Sequence, residues 1–221
     1  MGNATDPAEC AEKVFLVDDD RSILSAYTRL LRTAGYEVEA FESSREFLAK
    51  HDPAIPGCAV LDIRMNEMDG LALQEQLSAD GSPRPIIFIT GCDDVRTGVK
   101  ALKAGAADYL TKPVDGRDLI AAVESAMATD RKNRTHRAEL ETIQRRYDRL
   151  SARERQVMWE VVRGRLNKQI ANDLGIVEKT AKVHRARVME KMQVRSVAAL
   201  VHLIEHFHLA EVYGRAVAPQ K

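Results

Sequence analysis

Val14-Phe15-Leu16-Val17-Asp18-Asp19-Asp20 is an apolar run of strand length that stops on three consecutive carboxylates. Branched and aromatic side chains over so few residues favour an extended strand, because a helix needs a longer periodic stretch. Working outward, four more runs of this kind occupy 36–40, 58–61, 86–89 and 107–110. Between them apolar residues recur at helical spacing over about 21–34, 43–50, 70–79, 94–104 and 115–128, with Gly35, Gly57, Gly81 and Gly105 as stops. Five strand–helix units in succession predict an α/β domain, a five-stranded parallel sheet with helices on both faces. In such a sheet the ligand site gathers beyond the carboxyl ends of the strands, so the polar residues that end these runs carry the chemistry.

A chain of 221 residues has room for a second, smaller domain. The formal net charge of zero hides an asymmetry: residues 1–125 hold 13 Lys and Arg against 22 Asp and Glu, and the remainder holds 20 against 11. The basic half fits a polyanionic partner, since Lys and Arg that displace condensed counterions from phosphates give affinity without sequence reading. No apolar run reaches the length of a membrane span, and the polar start, residues 1–13, lacks the pattern of a secretory signal. A cytoplasmic protein without membrane contact is expected. Cys10, Cys58 and Cys92 are odd in number and lack CxxC spacing, which fits reduced thiols rather than a disulfide framework or a zinc site. Asn3-Ala4-Thr5 matches a glycosylation pattern that matters only in a secreted eukaryotic protein.

From residue 115 onward there is no strand candidate. Residues 129–137 are polar and basic without an apolar face, and read as linker or solvated helix. Leu140, Ile143, Tyr147 and Leu150 follow at spacings of three, four and three, which suits either a two-stranded coiled-coil seam or a linker helix packing on its own domains. Ser151-Ala152-Arg153-Glu154 is a capping-box pattern, so a helix begins near residue 152, with Val157, Met158, Val161 and Val162 on its apolar face and Gly164 at its end. Further helices are predicted over about 167–174, 178–192 and 196–208, and Leu174-Gly175-Ile176 supplies the glycine turn of a helix-turn-helix.

Asp18 and Asp19 follow the first strand, Asp62 the third, Thr90 the fourth, and Lys112 lies just past the fifth. Three crowded carboxylates repel one another, and a hard divalent cation with oxygen ligands compensates; Mg2+ suits phosphate chemistry. A carboxylate beside such an ion can attack a phosphoryl group, and Asp62, on the central strand, is the expected nucleophile. Together Val17-Asp18-Asp19-Asp20, Leu61-Asp62-Ile63-Arg64-Met65, Met68-Asp69-Gly70, Ile89-Thr90-Gly91 and Leu110-Thr111-Lys112-Pro113 resemble the receiver domain of two-component response regulators, in that family's order and approximate spacing. The resemblance implies a flavodoxin-like fold with Asp62 as phosphate acceptor and Asp18 and Asp19 as the acidic pair, Asp19 the more direct metal ligand. It further implies the backbone carbonyl of Arg64 as a metal ligand, Thr90 as the switch hydroxyl, Tyr109 as the switch aromatic, Lys112 as the phosphate-binding lysine, and a cis bond at Lys112-Pro113. Asp20, Asp69 and Asp115 read as helix-start residues. The family usually has proline four residues past the acceptor, where this chain has Asn66, so a looser loop and altered phosphorylation rates are expected.

Residues 151–208 resemble the helix-turn-helix domain of the LuxR, NarL and FixJ group. The matching residues include Glu154-Arg155, Gly164, Asn167-Lys168, Ile170-Ala171, Lys179-Thr180, Val183-His184 and Lys191. A helix over 178–192 buries Ala181, Val188 and Met192 and turns Lys179, Lys182, Arg185 and Arg187 outward, a width that fits the major groove. Candidate DNA contacts are Lys179, Thr180, Lys182, His184, Arg185 and Arg187, with Asn167 and Lys168 on the backbone; the alternative for His184 is a buried packing residue. Val177 stands where the family usually caps this helix with serine.

The resulting expectation is a receiver over 12–128, a helical linker over 129–150 and an all-α four-helix DNA-binding domain over 151–210. Resemblance supplies a cognate sensor histidine kinase as phosphodonor, a homodimer formed on phosphorylation through the fourth helix, fifth strand and fifth helix, double-stranded promoter DNA, and RNA polymerase as a further partner. Apart from promoting its own phosphorylation and dephosphorylation the chain is not expected to be an enzyme. Two alternatives are a regulator that binds DNA whatever its phosphorylation state and a metal-dependent phosphatase; the second is opposed by the lack of an inserted segment to enclose a substrate.

Overall fold

The computed structural model describes residues 11–81, 84–91 and 95–207. Cys10, Cys92, the Asn3-Ala4-Thr5 pattern, the start of the fourth predicted helix at 94 and the predicted ends at 208 and 210 lie outside the described residues. The chain divides into two compact units between Thr135 and His136.

In the first unit β1 (Lys13–Val17), β2 (Glu37–Phe41), β3 (Gly57–Asp62), β4 (Ile86–Thr90) and β5 (Asp108–Thr111) form one parallel sheet in the order β2-β1-β3-β4-β5. The helices that alternate with them are α1 (Arg21–Thr33), α2 (Ser44–Lys50), α3 (Gly70–Ala79), α4 (Val95–Lys103) and α5 (Gly116–Asp148). Strand periodicity sorts the side chains onto two faces. Val14, Leu16, Val60, Ile87 and Ile89 pack with Leu24 and Leu31 of α1 and Leu119 and Val123 of α5. Phe15, Val17, Leu61 and Phe88 pack on the other side with Phe47 of α2, Leu73 and Leu77 of α3 and Ala101 of α4. This is the flavodoxin-like strand order, whose reversal between β1 and β3 opens a crevice at the carboxyl ends of those two strands.

Helix α5 departs most from the sequence reading. A helix ending near 128 and a separate helical linker after it were expected; α5 instead runs unbroken for 33 residues. Asp130 is 1% exposed, and its Oδ2 accepts from the Gly57 amide at 2.8 Å and from Arg134 Nε at 2.7 Å. Arg134 also donates to the carbonyls of Pro53, Ala54 and Ile55. Gly57 is required where β3 begins: its φ is +143°, and an added Cβ would lie 1.9 Å from the Lys13 carbonyl oxygen. Asp130 and Arg134, within the stretch read as linker, therefore pack on the first unit.

The second unit contains the end of α5 with α6 (Ala152–Val162), α7 (Asn167–Asp173), α8 (Glu178–Lys191) and α9 (Val197–His206). Ser151 caps α6 with the full capping box: its hydroxyl accepts from the Glu154 amide, and the Glu154 carboxylate accepts from the Ser151 amide. Ile143, Tyr147 and Leu150 are buried with Val157, Met158, Val161, Ile170, Val188, Met192, Leu200 and Ile204. Of the two readings of that stripe, core packing within the unit is the one observed. A seam with a second copy would need the same side chains, and of the four only Leu140 lies outside this core, half-buried.

Candidate functional site

Strand register brings the predicted acids together. Val17 pairs with Leu61 and Asp62 with Ile89, so the chain leaves β1 at Asp18 beside the end of β3. Oxygen atoms of Asp18, Asp19 and Asp62 lie within 4.8 Å of one another. Lys112, one residue past β5, reaches across the sheet: its Nζ lies 2.9 Å from Asp18 Oδ2 and 3.1 Å from Asp62 Oδ1. Asp18 Oδ1 accepts from the Asp20 amide, and Asp20 in turn caps α1 through the amides of Ser22 and Ile23. Asp69 caps α3 by accepting from the Ala72 amide, and Asp115 accepts from the Arg117 amide as α5 begins. The Lys112-Pro113 bond is cis.

Close packing fixes Asp62 from behind. A Cβ at Gly70 would lie 2.5 Å from the Asp62 carbonyl oxygen and 2.9 Å from the Phe88 ring, so the first turn of α3 approaches this closely only because residue 70 has no side chain. Gly70 is thus a steric part of the site.

Charge in the crevice is unbalanced, with three carboxylates against one ammonium. Burial pushes the Asp62 carboxyl above the usual carboxylate range, and the neighbouring Asp18 and Asp19 add to this while Lys112 opposes it. Burial pulls the Lys112 ammonium down, but its hydrogen bonds to Asp18 and Asp62 outweigh that and leave it above the ordinary lysine value. Hard oxygen donors and surplus negative charge fit a divalent cation of the magnesium type.

Thr90 ends β4 fully buried, and its hydroxyl has no hydrogen-bond partner among the described residues. An uncompensated buried hydroxyl is costly unless something else takes its hydrogen bond. Tyr109 on β5 is half-buried against α4: a Cβ at Gly98 would come within 2.6 Å of its ring. Arg64 sits two residues past Asp62 in the loop that leads to α3, with an exposed side chain. Asn66, in the same loop, donates from Nδ2 to Asp19 Oδ2 at 2.6 Å. Only the missing proline at that position was legible in the sequence; the contact with Asp19 was not.

In the second unit, Lys179, Lys182 and Arg187 are exposed on α8 as expected. Arg185 is not turned outward: it is half-buried and donates from Nη1 to Asn167 Oδ1 at 3.2 Å, tying α8 to the start of α7. Thr180 and His184 are also half-buried, and the His184 Nδ1 is a buried atom without a hydrogen-bond partner among the described residues. Lys168 is exposed and Asn167 half-buried. Val183, 43% exposed, and Ala186 share the outward face with the three cations, and neither was singled out as a contact from the sequence. Val177 begins α8 without a side-chain cap, as its aliphatic side chain requires. Arg153 donates to the Leu174 carbonyl, holding the α7–α8 turn against α6.

Two sequence families account for both units. The response regulator receiver domain matches residues 14–124, and the bacterial regulatory proteins of the luxR family match 148–204. The chain belongs to the response regulators. It is 42% identical over 195 residues to the response regulator protein TodT of Pseudomonas putida, covering 88% of this chain and 86% of TodT. It is 38% identical over 190 residues to the transcriptional regulatory protein FixJ of Bradyrhizobium diazoefficiens, covering 86% and 93%. Among solved structures the response regulator StyR aligns with a TM-score of 0.79 at 44% identity, covering 89% of this chain and 99% of StyR. The protein is thus a transcriptional regulator of the FixJ type, with a receiver and a LuxR-type DNA-binding domain, rather than a typical enzyme. A receiver implies a sensor kinase as partner, and receivers generally bind Mg2+ at an acidic cluster of the kind formed by Asp18, Asp19 and Asp62. Among the described residues no helix is long and apolar enough to cross a membrane.

Proposed function

We propose that the protein is a phosphorylation-controlled regulator whose Asp62 accepts a phosphoryl group from the phosphohistidine of a cognate sensor kinase. A carboxylate oxygen of Asp62 forms the new bond to phosphorus as the bond from phosphorus to the histidine nitrogen breaks. Asp18, Asp19, Asp62 and the Arg64 carbonyl would hold Mg2+, which when bound neutralises charge on the transferring group. Lys112 pairs with an oxygen of the phosphoryl group, and the Thr90 hydroxyl donates to another. The observation that carries this reading is the placement of Lys112 within 3.1 Å of the Asp62 carboxylate.

Movement of Thr90 toward the phosphoryl group draws on Tyr109, whose ring lies against Gly98, and so remodels the face of α4, β5 and α5. Val99 and Leu102, each 48% exposed on α4, give that face the apolar surface a second copy would cover. Dimerisation then presents two α8 helices to an inverted-repeat promoter site, with Lys179, Lys182 and Arg187 as the exposed contacts and Thr180, His184, Arg185, Asn167 and Lys168 around them. RNA polymerase is the downstream partner. The test is treatment of parent and Asp62→Asn with acetyl phosphate. The parent is expected to gain one hydroxylamine-labile phosphoryl group, dimerise in sedimentation and bind promoter DNA more tightly; an identical response from the mutant would refute the proposal.

A further inference from the structure

Of the three carboxylates in the crevice, two are held by the core and one is not. Asp18 is 6% and Asp62 7% exposed, and both meet Lys112; Asp18 is fastened at its second oxygen by the Asp20 amide. Asp19 is exposed and has no contact with Lys112. Repulsion from its two neighbours favours rotamers that swing its carboxylate toward water, away from any ion the other two would share. What holds it is the amide of Asn66, the hydrogen-bond partner Asp19 has among the described residues. That amide belongs to the loop between β3 and α3, so it also ties the acceptor's loop to the loop that follows β1.

We infer that Asn66 is a positioning residue for the metal site, its side-chain N–H holding Asp19 in the orientation that Mg2+ requires. The inference rests on the receiver reading above. Chemically the arrangement is sound: a carboxylate accepts at both oxygens, so donation to Oδ2 leaves Oδ1 for the cation, and an amide adds no charge that would compete with the ion. A side chain already held needs less ordering when the ion arrives. Proline at this position would stiffen the loop and supply no donor at all. The effect of Asn66 on the site is therefore that of a donor gained, as well as a ring lost.

The experiment is calorimetric titration of Mg2+ into the unphosphorylated full chain, comparing the parent with Asn66→Ala, Asn66→Pro and Asn66→Gln. Loss of a hydrogen bond to a partly solvated carboxylate is expected to weaken Mg2+ binding about three- to tenfold in both Asn66→Ala and Asn66→Pro. Asn66→Gln, which keeps an amide, stays closer to the parent. In phosphorylation by acetyl phosphate, the Mg2+ concentration that gives half the maximal rate should be higher for Asn66→Ala than for the parent. Unchanged or tighter Mg2+ binding in Asn66→Ala would overturn the inference. So would weakening in Asn66→Ala combined with parent-like binding in Asn66→Pro, since loop stiffness would then be the operative property. Should the parent itself bind no Mg2+ and take no phosphoryl group on Asp62, the receiver reading fails before the role of Asn66 is reached.

Discussion

Replacing Asp130 by alanine should loosen the receiver at the amino end of its central strand. The side chain is 1% exposed, and one oxygen satisfies both the Gly57 amide and the Nε of Arg134, itself largely covered by the 53–55 loop. Truncation leaves a buried amide without an acceptor and a guanidinium without its counter-ion, a combination that costs about 3–5 kcal/mol when both partners are fully buried. Arg134 keeps 24% of its side-chain surface and three carbonyl partners, so the lower end, about 3 kcal/mol, is the expected loss. Asp130→Asn retains an acceptor for Gly57 and should lose roughly half as much. Cys58, next to Gly57, is a built-in reporter: it is fully buried, and burial pushes its thiol up to about 12, so it reacts only when the strand opens. In a Cys10→Ser, Cys92→Ser background, Asp130→Ala should raise the rate of Cys58 labelling by about a hundredfold at fixed pH. The urea transition of Trp159, the chain's one tryptophan and buried in the second unit, should stay where it is in the parent. Labelling within threefold of the parent, or a shift confined to Trp159, would refute the assignment of residues 129–135 to the receiver's structure.

Two further outcomes are expected in the DNA-binding unit. Burial alone would lift the Glu154 carboxyl, but hydrogen bonds from Lys191, at 2.6 Å, and from the Ser151 amide outweigh it and hold the group below its ordinary value of 4.5. A carboxyl depressed in the folded state adds stability that is present above 4.5 and is lost as pH falls through the folded value. The Trp159 transition of the parent should therefore weaken as pH drops below 4.5, and Glu154→Gln should be less stable at neutral pH with a flatter acid limb; parallel pH curves for the two proteins would contradict this. On α8, Lys182 is exposed and its ion pair among the described residues is with Glu178 at 2.9 Å, so it is available to a phosphate. Lys182→Ala should lower the slope of log affinity against log salt for a labelled duplex by about 0.9, and an unchanged slope would place this lysine off the backbone.

The sheet and its acids were legible because each is a local pattern. A four- or five-residue apolar run followed at once by Asp or Thr marks both a strand and the end of it that faces the crevice, and parallel order does the rest. Val14 to Asp20, Asp62 and Thr90 needed no knowledge of distant residues. Lys112 sits where a single step past Thr111 carries it to the same end. The helix caps at Asp20, Asp69 and Ser151 were legible for the same reason, their partners lying two or three residues away.

What was not legible depends on polar partners far along the chain. Asp130 looks like a charge on a solvated stretch until Gly57, 73 residues earlier, offers it an amide that the sheet cannot use. Arg185 looks outward-facing by helical period, but its guanidinium finds Asn167, 18 residues back. Asn66 was visible as a proline lost, while its donor function needed Asp19, 47 residues away. The stripe from Leu140 to Leu150 left two readings open for a different reason: a seam between two helices and a core beneath one helix ask for the same apolar spacing, so periodicity alone has no means to separate them. Hydrophobic patterning places backbone elements, because burial of apolar area is non-directional and scales with what is covered. A buried polar contact is directional and costly to leave unmade, so its position is set by the partner's geometry, and it becomes predictable only once the backbone that carries the partner is in place.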